Sequence, residues 1–195
     1  MIVAGDTIEG AAYLAVFLVL VFIGSRIMVR VNTARFNRYV APLLPLINGR
    51  ATSGGDQAMM EGTYGGRPVT VSIAYKVTSH VLPGTNVDRR NLVEITMSSV
   101  PGREGWKVRY HAFDGKDWRA TSADDALAAS LTNAGAVSDV QERGVMAYVT
   151  YSAPLGQLTF IEDISPRTTP PESRLQAALD LLVRLDAMNQ RVNPA

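Results

Sequence analysis

The stretch Gly10–Val29, GAAYLAVFLVLVFIGSRIMV, constrains this chain more than any other. No charge falls between Gly10 and Ser25. Gly10–Val29, counted past Arg26, whose charged end can snorkel, is 20 residues, or roughly 30 Å of helix, the thickness of a bilayer's hydrocarbon core. The sequence therefore predicts a transmembrane helix starting near Thr7, with Asp6 and Glu9 spaced like a capping box and placing negative charge at its N-terminus. A cleaved secretory signal needs basic residues before the run and a small-residue cleavage site after it, and neither is present. Arg26, Arg30, Arg35 and Arg38 all follow the run, whereas Asp6 and Glu9 precede it. By the positive-inside rule the N-terminus is expected outside and the C-terminal bulk in the cytoplasm, at an inner or cell membrane.

The net charge of +1 divides unevenly along the 195 residues. Up to position 50 there are 5 arginines against Asp6 and Glu9, which leaves 14 basic and 16 acidic residues beyond it. A nucleic-acid binder carries its basic excess on the folded domain, so nucleic acid is not an expected partner. Anionic lipid headgroups are, through Arg26, Arg30, Arg35 and Arg38. The chain has no cysteine, which excludes disulfides, thiolate nucleophiles and cysteine-ligated metal centres.

Three regions follow from the patterning: residues 1–30 as outer N-terminus and membrane helix, 31–50 as an amphipathic membrane-proximal segment, and 51–195 as one domain. In the second, Phe36, Val40, Leu43 and Leu44 share helical spacing while Arg35 and Arg38 point elsewhere, limited by Pro42 and Pro45. Ala51–Asp56, ATSGGD, reads as a flexible joint. Beyond it, Gly65-Gly66 turns a hairpin between Ala58–Tyr64 and the alternating Val69, Val71, Ile73, Tyr75. Further period-two runs are Val93–Met97, Trp106–Tyr110 with a return through Trp118, Val145–Tyr151, and Leu158 with Phe160. A short helix is expected after Thr121 or Ser122, ending at Gly135, and a long final helix opens at a capping box formed by Thr169 and Glu172. Its Leu175, Ala178, Leu179, Leu182 and Leu185 make an apolar stripe. Hairpin-linked strands with a long C-terminal helix imply an α+β fold, a mostly antiparallel sheet with helices on one face.

The search for chemistry finds no catalytic, cofactor or metal constellation. GTYGGRPV lacks the Lys-Ser/Thr of a phosphate-binding loop. His80 and His111 lack the spacing of a two-histidine metal site. Asp114, Asp117, Asp124 and Asp125 form the densest carboxylate group, without calcium-loop spacing, in positions that turns and helix starts favour anyway. Trp106, Tyr110, Trp118, Tyr148, Tyr151 and Phe160 suit either a core or a pocket lining. In the apolar run, Ala11, Ala15 and Gly24 are spaced for close packing against another helix.

A short acidic N-terminus, one helix, an arginine-rich joint and an α+β domain resemble, in architecture, the small single-pass accessory subunits of bacterial membrane complexes. Photosynthetic and respiratory assemblies such as alternative complex III contain subunits of this kind. EGTYGGRPVTV at Glu61–Val71 is similar to segments of uncharacterised bacterial membrane-anchored domains. The resemblance implies other subunits of a membrane complex as partners and transfers no functional residue. The expected function is therefore a non-enzymatic accessory subunit, and the competing expectation is a membrane-tethered sensor or ligand-binding module.

Overall fold

The computed structural model describes residues 13–27, 30–31, 34, 41–54, 57–78, 88–112, 116–164 and 172–195. Residues 13–27 are helical (α1). The expected transmembrane helix is corrected here: among the described residues, no helix is long and apolar enough to cross a membrane. Residues 30–31 and 34 are helical as well. With the span goes the inferred topology, N-terminus out and domain in, because flanking arginines orient only a segment that crosses.

The remainder is α+β. A 3-10 helix, Ala41–Ile47, precedes eight strands: β1 (Arg50–Gly54), β2 (Gln57–Tyr64), β3 (Arg67–Thr78), β4 (Asp88–Met97), β5 (Trp106–His111), β6 (Asp117–Ser122), β7 (Ala147–Ser152) and β8 (Gln157–Ile164). Helices α2 (Asp125–Asn133) and α3 (Ala136–Gln141) lie between β6 and β7, and α4 (Glu172–Val192) ends the fold. The strands form one sheet in the order β1-β2-β3-β4-β8-β7-β5-β6, every pair antiparallel.

Period-two alternation sends one side chain of each pair to the helices. Met60, Val71, Ile95, Phe160, Val149 and Val108 are fully buried on that face, from β2 across to β5. Against them α4 lays Leu175, Leu179, Leu182 and Leu185, the expected stripe, while α2 and α3 cover β5, β6 and β7 with Leu127, Leu131 and Val140. The 3-10 helix seals the β2 side with Leu43 and Ile47, so the described end of the membrane-proximal segment docks on the domain. Strand β1 occupies most of the stretch expected to be a joint, as an edge strand on β2. The helix expected from Thr121 or Ser122 instead starts at Asp124, whose carboxylate accepts from the Ala126 and Leu127 amides. Gly135 stops it as expected, but at φ 94° it also turns the chain straight into α3.

Polar side chains then fix α4 along its length. Arg174 donates twice to buried Glu162 on β8, at 2.7 and 3.1 Å. Tyr64 at the end of β2 donates to Asp180, and Arg67 Nε on β3 donates to Asp186 at 2.9 Å. Asn189 accepts from Trp106 Nε1 at 2.7 Å and donates to the Pro101 carbonyl at 2.7 Å. Asn193 accepts from the Arg103 and Glu104 amides and donates to the Glu104 carbonyl, so the loop between β4 and β5 hangs on two asparagines one helical turn apart. Tyr151 closes the loop from the sheet side by donating toward the Val100 and Gly102 carbonyls.

A methyl group added to Gly102 would sit 2.8 Å from Asn189 Nδ2, Asn193 Nδ2 and Tyr151 Oη, all held in place by those bonds. Gly102→Ala should therefore cost about 1–3 kcal/mol in a urea melt followed by tryptophan fluorescence, and an unchanged midpoint would show the loop to be slack. The Asp180 carboxylate, with burial adding to it, pushes the Tyr64 hydroxyl up from 10 to about 12. Protonated Tyr64 is thus favoured in the folded state, and this stabilisation is complete below pH ~10 and lost as pH rises through about 12. Asp180→Asn should flatten that part of the stability profile, and an equally steep loss in the variant would assign it elsewhere.

Candidate functional site

Among the described residues, two surfaces lack a covering element: α1 and the sheet face turned away from the helices. Along α1 the large apolar side chains from Tyr13 to Ile27 are 47–75 % exposed. Ala15 is exposed, and around Gly24 an added Cβ would meet nothing within 4 Å, so no described segment uses the small-residue positions for packing. Arg26 folds back with its guanidinium carbon 5.2 Å from the Phe22 ring centroid, and Ser25 donates to the Phe22 carbonyl. Arg30 is exposed beyond it. Ala11, Arg35 and Arg38 lie outside the described residues, as do the Asp6–Glu9 capping box, His80, Asp114 and Thr169.

On the open sheet face the register aligns Thr70, Thr96, Thr159 and Thr150 in one row across four neighbouring strands, continued by Lys107 and Thr121. The Thr96 and Thr159 hydroxyls are 3.3 Å apart. Arg109 on β5 stands directly opposite Arg119 on β6, an unfavourable like-charge pair that Asp117 partly offsets through a 2.9 Å bond to Arg119. Lys107 places its ammonium 4.6 Å from the Tyr148 ring centroid. Burial first, then the Arg109 charge, lowers the Lys107 pKa from its ordinary 10.5. Burial and then Glu94 raise that of Tyr148. A shallow depression of about 420 Å³ lies beside this row, lined by Gly105, Lys107, Thr121, Ser122 and Thr150 among others. Its Ser122 hydroxyl donates to the Gly105 carbonyl at 2.8 Å, and those of Thr121 and Thr150 to main-chain carbonyls at 3.4 Å.

The carboxylates singled out in the sequence do not converge. Asp117 pairs with Arg119, Asp124 caps α2 and Asp125 lies in its first turn. His111 faces Asp117 across β5 and β6. Among the described residues no group of three or more histidine, aspartate and glutamate side chains could hold a metal. The aromatic set divides: Trp106, Tyr151 and Phe160 are core, with Trp106 and Tyr151 rings 6.0 Å apart, and Tyr148 alone of the central strands' aromatics is on the open face. A pocket lined by all six is therefore not formed. The threonine row escaped the sequence reading because it depends on strand order, which no local pattern carries.

No protein-family model, curated protein or solved structure matches the chain.

Because Arg109 contributes to holding Lys107 below its ordinary range, Arg109→Gln should raise the Lys107 pKa, read from the side-chain NMR signals of labelled lysine over an alkaline titration. A pKa that does not move would leave burial as the whole cause.

Proposed function

We propose that this protein is a non-enzymatic accessory subunit of a larger membrane-protein complex, attached through α1. The observation that carries the proposal is the exposure, on all its faces, of a helix that is apolar without interruption from Tyr13 to Ile23. A helix that is apolar all round is stable only when surrounded. Each leucine, valine, isoleucine or phenylalanine covered there contributes about 1.5–3 kcal/mol. Apolar helices of partner subunits supply such surroundings, and the small residues Ala15 and Gly24 allow them to come close. Arg26 and Arg30, next to the apolar residues, suit the anionic headgroups at the edge of such a complex.

The α+β domain is the part the subunit presents to its surroundings. Of the two acids that best suited catalysis in the sequence, Asp114 lies outside the described residues and Asp117 is held in an ion pair with Arg119, and Asp124 serves as a helix cap, which favours a binding role over catalysis. The competing sensor reading keeps part of its aromatic lining, since Trp106 and Tyr151 border the depression beside the threonine row while Phe160 is core.

Affinity purification of the intact chain from native membranes, with mass spectrometry of what accompanies it, tests the proposal. Defined integral membrane proteins should co-purify in fixed ratio. Replacing Leu18, Val21 and Phe22 with serine should abolish their recovery while tryptophan fluorescence remains native. Purification without partners, or with the same partners from the serine variant, would overturn the assignment.

A further inference from the structure

We infer that one side of α1 holds an anionic phospholipid, its phosphate between Arg26 and Arg30, the helical residue one turn on, and an acyl chain along Phe22, Ile23 and Ile27; this rests on the attachment through α1 proposed above and assigns the sides of that helix. At about 100° per residue, Phe22, Ile23, Arg26, Ile27 and Arg30 fall within roughly 140° of the helix circumference. Together they line one shallow groove of about 340 Å³. Leu14, Phe17, Val21 and Gly24, spaced three, four and three residues apart, run down the opposite side. That is the spacing of a seam between two packed helices, and Gly24 lets a second backbone come near. A partner helix on the seam leaves the groove free for lipid.

The charge in the groove selects the ligand. Arg26 and Arg30 are i, i+4 neighbours on the helix surface, where like charges repel. Among the described residues no carboxylate pairs with either. A phosphodiester supplies the negative charge between them and accepts from both guanidinium groups, whose planar forks match phosphate oxygens. A free phosphate would satisfy that charge equally well. The apolar part of the groove would then stay bare, because Phe22 is 59 %, Ile23 47 % and Ile27 57 % exposed. An acyl chain covers these three side chains and removes their surface from water. The Arg26 guanidinium already lies over the Phe22 ring, so the cationic and apolar parts of the groove adjoin as the two parts of a phospholipid do.

Native mass spectrometry of the intact chain in mild non-ionic detergent tests the site, with phosphatidylglycerol or phosphatidylcholine of the same acyl chains added. One phosphatidylglycerol per chain should be retained at concentrations where phosphatidylcholine is not. Arg26→Gln and Arg30→Gln should each weaken that retention about fivefold or more, the fold-change equivalent to the ~1 kcal/mol an arginine contributes beside anionic lipid. Arg191→Gln, at an exposed arginine near the end of α4, should leave it unchanged. Replacing Phe22 and Ile23 with serine should weaken it with both arginines in place, and an excess of inorganic phosphate should not displace the lipid.

Displacement by phosphate, with no effect of the serine changes, would make the arginines a site for free anions and overturn the inference. Equal retention of the two lipids would leave the arginines to an acidic segment of a partner and overturn it as well, as would full retention by both glutamine variants. No partner subunit enters this measurement, so it is separate from the co-purification that tests the attachment. A chain that recovers its partners yet shows no preference for phosphatidylglycerol refutes the lipid site alone.

Discussion

The fold depends on how α4 is held across the sheet. A helix is about 10 Å across and eight strands span nearly 40 Å, so one helix cannot shield the sheet by itself. It covers β4 and β8, and the remaining width is closed by α2 and α3 on one side and the 3-10 helix on the other, each packed against α4 as well as the sheet. Leucines supply the driving force, but an apolar stripe alone would allow the helix to slide or rotate. Glu162, Tyr64, Arg67 and Trp106 each reach α4 from a different strand and fix it at Arg174, Asp180, Asp186 and Asn189. Polar groups of this kind are costly to bury unless satisfied, and here each is paired, with Arg67, Asp186 and Asn189 serving two or more partners.

The same contacts explain how the β4–β5 crossing is made. The chain leaves the middle of the sheet at Met97 and re-enters three strands further on at Trp106, because β8 and β7 lie between. The connection must therefore pass over the end of the sheet with its backbone polar groups facing protein. Asn189 and Asn193 provide side-chain amides that imitate a neighbouring strand, taking two amides and offering hydrogens to two carbonyls. Gly102 keeps the loop close enough for them to reach.

Local chemistry was legible and long-range pairing was not. The strands from Ala58 to Phe160 followed from alternation, the β2–β3 hairpin from Gly65-Gly66, and α4 from its leucine spacing. The pairing of β4 with β8 joins residues some sixty positions apart, for which alternation carries no signal, and the threonine row went with it. Asn189 and Asn193 did leave a trace, two asparagines at i and i+4 beside the apolar stripe, but such residues on a helix more often face water. The membrane span is corrected on different ground: among the described residues no helix is both long and apolar enough to cross. What persists from that run is its exposed apolar surface, and the functional proposal rests on it.

Hydrogen exchange of the intact chain tests most directly whether α4 and the sheet are one cooperative unit. If α4 is the element on which the fold depends, the amides of Leu179–Leu185, of Val93–Met97 in β4 and of Leu158–Glu162 in β8 should all exchange with the same opening free energy, equal to that of global unfolding. Exchange of α4 through a smaller opening, with β4 and β8 still protected, would show that the sheet stands without its helix and would contradict the account.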